Sequence, residues 1–169
     1  MRMGSIGFNA AARQGERFSV SRIPGAADVK GAGWMKLIDV ISLPNGLKAE
    51  IYDNSRAVAR DMVKVVFIAR VRVEVKEEYF DRRADYELTR RMFGEDVLFE
   101  QVNERTFVPL HDQSRVFGEF EDRFKNDALF YLSRPHFPGR FVLSKFRDIE
   151  KNPWKYGLLP ERRTDGVDE

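Results

Sequence analysis

Cysteine is absent from the 169 residues, and histidine occurs only twice. The first absence removes disulfides, thiolate metal sites and cysteine catalysis together. The two imidazoles, His111 and His136, would leave a zinc centre dependent on carboxylates, so no metal site is expected. No apolar run approaches the roughly 18–20 residues of a membrane-spanning helix. The basic N-terminal start is not followed by the apolar stretch of a secretory signal. A surplus of one charge sign is also missing, with 29 Lys and Arg against 27 Asp and Glu. A generic nucleic-acid-binding domain is more basic than this, so neither nucleic acid nor a membrane is an expected partner. Nothing in the chain forms a catalytic signature, and no catalytic residue or cofactor is assigned.

The small positive balance sits at one end. Residues 1–34 hold five Lys/Arg against two acids, whereas residues 35–169 hold 24 against 25. The first 34 residues are rich in Gly, Ala, Ser and Arg and follow neither helical nor strand period, so they read as a disordered extension. Arg2 and Arg13, with no acid before Glu16, superficially suit a transit peptide. An upstream start, with Met35 as an alternative beginning, is the plainer reading. The expected domain is 35–157, followed by a polar tail over 158–169.

What is abundant is aromatic and β-branched. Fourteen Phe imply a core built on rings. Met62–Val75 places Val63, Val65, Phe67, Ala69, Val71, Val73 and Val75 at period two, on one face of a strand. Its other face is apolar at Val66 and Ile68, then charged at Arg70, Arg72 and Glu74. One end is thus expected to be covered on both sides and the other to be wet on one. Before it, Met35–Leu43 and Leu47–Asp53 form a hairpin about Pro44-Asn45-Gly46. After it come a helix over 78–93 with an inner stripe of Phe80, Ala84, Leu88 and Met92, and a strand within Asp96–Val108. A second helix follows Asp112 or Ser114, with a stripe of Val116, Phe117, Phe120, Phe124, Ala128 and Tyr131. The last helix opens at Phe137-Pro138 with Val142, Phe146 and Ile149 inward. The order β-β-β-α-β-α-α predicts an α+β fold: an antiparallel sheet of about four strands with helices on one face.

Three groups of residues are candidates for function. Asp53, Asn54, Ser55 and Arg56, with Asp61, form a dense polar cluster that suits an acid–base or phosphate site. The same residues also cap turns and pair with one another, and this is the stronger reading. Arg134, Arg140, Lys145, Arg147 and Lys151 lie among Phe130, Tyr131, Phe137, Phe141, Phe146, Trp154 and Tyr156. Cations among rings suit single-stranded nucleic acid or another anionic ligand, although core packing is the first reading for the rings. Tyr79, Tyr86 and Phe93, spaced by seven, make a second apolar stripe on the first helix. Either the later helices cover it or it is an interface.

The segments LPNGLKAEIYDNSRAVARD and YLSRPHFPGRFVLSKF resemble a small family of uncharacterised bacterial proteins, across roughly Met35 to Phe146. The resemblance implies a bacterial cytoplasmic protein whose family begins near Met35, and it brings no activity, cofactor or catalytic residue. The expectation is a small non-enzymatic domain that binds another protein or itself.

Overall fold

Strand β4, Met62–Glu74, sits between neighbours on both edges. The computed structural model describes residues 35–158. The segments 1–34 and 159–169, which hold the expected extension and most of the expected tail, lie outside the described residues. Along one edge of β4 run β2 (Lys48–Asp53) and β3 (Arg56–Ala59), and along the other runs β5 (Asp96–Pro109). β1 (Lys36–Ser42) pairs outside β2, and every pairing is antiparallel. The odd residues of β4, from Val63 to Val73, and Val75 just beyond it are all buried in one hydrophobic cluster, as the period-two pattern requires.

The polar stretch after β2 interrupts the ladder without breaking it. Asp53 pairs with Phe67 and Arg56 with Lys64, three residues onward on one chain and three back on the other. No residue is looped out between them. β2 and β3 are therefore one strand with a polar seam, and the sheet is a four-ribbon meander in five pieces.

Helices α1 (Arg83–Phe93), α2 (Gln113–Arg123), α3 (Leu129–Leu132) and α4 (Phe137–Lys151) supply the other layer. Phe67 is the hinge of the packing: its ring lies 5.6 Å from Phe117 and 5.7 Å from Phe124. Phe137, Val142 and Ile149 complete the core from α4.

The helical layer departs from expectation in two places. The first helix begins at Arg83, after a single 3-10 turn at Glu77–Tyr79, because Phe80 is extended and its ring reaches Tyr86 and Phe146. A tertiary ring contact there outweighs helix propensity, which amounts to a few tenths of a kcal/mol per residue, about 0.7 at most for ordinary residues. As a result Thr89 and Phe93 are the buried positions of α1, and Ala84 is exposed. The second departure is a π-helical turn at Phe124–Ala128, between α2 and α3. Its wider turn delays the inward stripe by one residue, so Leu132 is fully buried and Tyr131 is 49% exposed.

β5 carries a one-residue bulge between Arg105 and Val108, opposite Val63–Val65. Within it Phe107 adopts φ +57° with 71% of its surface exposed. The left-handed region costs a non-glycine residue about 1–2 kcal/mol, and this ring recovers little by packing. Phe107→Gly should therefore stabilise the domain by about 1 kcal/mol in urea unfolding. A loss of stability would show that the ring has a packing role.

Candidate functional site

The Asp53–Asp61 cluster is occupied with holding the sheet together. Asn54 N–H donates to the Val66 carbonyl (3.0 Å), and Val66 N–H donates to Ser55 Oγ (3.0 Å). Ser55 N–H donates to Asp53 Oδ1 (2.8 Å), and the Asp61 carbonyl accepts from Leu110 N–H (3.0 Å). Directly paired residues share a face, so Asp53 stands on the side of Phe67 and Arg56 on the side of Lys64. The carboxylate and the guanidinium are thus on opposite sides of the sheet, and the set does not converge. Ser55→Ala leaves the Val66 N–H without its acceptor inside the sheet. It should cost about 1–2 kcal/mol in chemical denaturation; an unchanged midpoint would mean that water replaces the hydroxyl.

The basic segment is divided by its helix. At about 100° per residue, Arg140, Arg147 and Lys151 share the outer face of α4, where all three are exposed. Lys145 lies on the inner side, 9% exposed, with its ammonium 5.1 Å from the Phe141 ring centre, and burial holds it below the ordinary lysine range. Arg134, in the turn before α4, lies 5.1 Å over the Phe130 ring. The rings divide as well. Phe137, Phe141, Phe146 and Tyr156 pack inward or half-inward, whereas Phe130 (71%), Tyr131 and Trp154 (67%) are exposed. Core packing therefore accounts for four of the seven. Asn45, in the β1–β2 turn, anchors this corner by donating to the carbonyls of Leu132 (2.7 Å) and Arg134 (3.0 Å).

At the far end of α4, Tyr156 OH donates to Asp148 Oδ2 (2.6 Å) and Asn152 Nδ2 donates to Oδ1 (2.7 Å). These bonds, the Tyr156 hydroxyl foremost, hold the Asp148 carboxyl below its usual range, while burial and the same carboxylate push the Tyr156 hydroxyl up. A depressed carboxyl stabilises the fold above its unfolded pKa of about 3.9, and that contribution is lost as pH falls through the folded value. Tyr156→Phe should raise the Asp148 pKa in an NMR titration and make acid unfolding begin at higher pH. An unmoved Asp148 would remove the hydroxyl as the cause.

Tyr79 and Phe93 lie against later elements. A Cβ built on Gly139 of α4 would stand 3.1 Å from the Tyr79 ring, so this glycine is where α4 approaches closely. Phe93 is buried against Tyr156, and Tyr86 is half-buried, its hydroxyl accepting from Arg90 (2.7 Å). Two of the three thus meet C-terminal elements, while Tyr86 packs on Phe80 and Arg90.

The surface that sequence reasoning passed over is the helix-free face of the sheet. Register places Leu37, Tyr52, Ile68 and Val102 in one apolar row across four strands. Leu37, Ile38 and Val40 on the edge strand β1 are 42–49% exposed. Val66 and Ile68 stand apart from the helix-side core, although each retains only 7% of its surface. The charges around the row neutralise one another: Arg70 pairs with Glu100 (2.6 Å) and lies over the Tyr52 ring, Lys64 pairs with Glu104 (2.8 Å), and Tyr52 OH donates to Glu50 (2.8 Å). The alternation of β4 and the two flanking patterns were legible in the sequence, but the row exists only once register aligns four strands.

A shallow cleft of about 440 Å³ lies between the end of β4, α1 and the start of β5. Four carboxylates line it (Glu74, Glu77, Glu95 and Asp96), together with Lys76 and Arg90, the latter tied to Tyr86 and Glu95. Among the described residues no group of three His, Asp or Glu side chains could hold a metal ion, and no helix is long and apolar enough to cross a membrane. No family model, curated protein or solved structure matches the chain.

Proposed function

We propose that this domain works by binding, without catalysis, and that the helix-free face of its sheet associates with the same face of a second copy. The observation that carries the reading is the apolar row Leu37–Tyr52–Ile68–Val102, flanked by the ion pairs Arg70–Glu100 and Lys64–Glu104. An apolar centre with a polar rim is the anatomy of a protein interface.

Charge points to a second copy as the partner. By register the face carries Lys48, Arg56, Lys64, Arg70 and Arg72 against Glu50, Glu74, Asp96, Glu100 and Glu104. Five of each sign leave it neutral, and a two-fold operation can lay each sign over the other, whereas a one-sign partner would meet repulsion. Size agrees. Thirteen residues of β4 run about 43 Å and four strands abreast span about 15–20 Å. That footprint is on the order of 600–800 Å², the scale of one side of a standard interface. A bacterial cytoplasmic setting belongs to the same proposal and rests on the sequence resemblance.

Sedimentation velocity of the full chain from low to high micromolar should show a concentration-dependent dimer. Leu37→Lys with Val40→Lys should hold it monomeric with an unchanged circular dichroism spectrum. A monomer at every concentration, or a dimer indifferent to both lysines, would overturn the assignment.

A further inference from the structure

The exposed cations of α4 lack carboxylates, whereas most of those on the other helices hold one. On α1 and α2, and on the π turn that continues α2, Arg83, Arg90, Arg115 and Lys125 hold Glu87, Glu95, Glu119 and Glu121, and Arg91 of α1 is the exposed exception. Among the described residues Arg140, Arg147 and Lys151 hold none. Asp148, next to Arg147, is taken up by Tyr156, Asn152 and Lys155, which leaves Glu150 as the exposed carboxylate of α4. Residues 128–158 hold six Lys/Arg against two acids, a surplus of four, while residues 35–127 hold 16 against 19, a deficit of three. A domain near neutrality overall thus concentrates positive charge along one ridge about 16 Å long, eleven residues at 1.5 Å each.

Exposed aromatic rings stand at both ends of this ridge. Tyr131, 5.1 Å from Phe137 at the first position of α4, lies with Phe130 and Arg134 at its beginning. Trp154 follows its end in the 3-10 turn Pro153–Tyr156. These rings could have packed inward, as Phe137, Phe141 and Phe146 on the same segment do. Instead Phe130, beneath Arg134, and Tyr131 and Trp154 keep much of their surface in water on the segments that flank three cations without carboxylate partners.

We propose that the outer ridge of α4 binds single-stranded nucleic acid. Arg140, Arg147 and Lys151 track the phosphates, and Phe130, Tyr131 and Trp154 receive bases by stacking. Cations that follow a backbone, with rings that accept any base, are the means by which single strands are held without sequence preference. An acidic protein segment would use the cations and have no call on the rings. The ridge is on the helical side, so this activity is independent of dimerisation through the opposite face of the sheet.

The test uses the full chain and a fluorescein-labelled oligo(dT), with heparin and polyglutamate as anions that lack bases. Anisotropy should saturate at low salt, and log K should fall by about two per log unit of salt, three phosphates at about 0.7 each. Arg140→Glu, Arg147→Glu and Lys151→Glu together should abolish binding. Phe130→Ala with Tyr131→Ala should weaken oligo(dT) about 10-fold or more while leaving heparin unchanged. The chain has two tryptophans, so Trp34→Phe makes Trp154 the sole reporter, and its emission should be quenched by oligo(dT) and not by polyglutamate. No anisotropy change at low salt would overturn the proposal. So would equal binding of oligo(dT), heparin and polyglutamate that is indifferent to ring removal, since that is attraction between charges alone. Leu37→Lys with Val40→Lys should leave oligo(dT) binding intact, which separates this outcome from the fate of the dimer.

Discussion

The rest of the molecule depends on the burial of one face of β4. Six residues from Val63 to Val73, and Val75 after them, leave water on a single side, and each neighbouring strand must match that parity. A slip of one residue would turn the whole row outward, so burial fixes the register of β2, β3 and β5 together. The helical layer is then attached by rings, with Phe67 meeting Phe117 and Phe124. Even the polar seam obeys the same constraint. Ser55 and Asn54 serve the two backbone groups of Val66, so the ladder crosses a segment that would otherwise have turned away.

One consequence of a single helical layer is a sheet side on which the core helices do not pack, and this chain did not make that side wholly polar. Its even row is apolar at the level of Ile68, and two ion pairs, Arg70–Glu100 and Lys64–Glu104, lie within the face. On the opposite side of the molecule α4 does the reverse, keeping three cations without partners and rings outside the core. The two surfaces have different physics: one is neutral and apolar at its centre, the other charged and aromatic.

Legibility in the sequence followed the range of the interaction. β4, the hairpin about Asn45-Gly46 and the start of α4 at Phe137-Pro138 were readable because periodicity and turn chemistry are local. The start of α1 was not, since Phe80 leaves the helix to reach Phe146, a residue 66 positions away. The π turn was hidden for a related reason. Ala128 and Tyr131 continue a plausible α-helical stripe, and only the packing of Leu132 shows that the stripe has moved. At the candidate sites, residue type suggested Asp53, Asn54, Ser55, Arg56 and Asp61 as one cluster, whereas strand parity puts Asp53 and Arg56 on opposite faces. The cations of the C-terminal segment were visible, but the exposure of Phe130 and Trp154 was not, because a ring in a sequence reads first as core.

Association of the helix-free sheet face with its own copy can be measured directly. With no native cysteine, a single spin label can be placed at will. Lys48→Cys, on the sheet face, and Glu150→Cys, on α4, can be compared by pulsed dipolar spectroscopy of the full chain. A dimer joined through the sheet gives a defined intermolecular distance for the sheet label and a longer one, or none, for the helix label. A short defined distance for the helix label, with none for the sheet label, would contradict it.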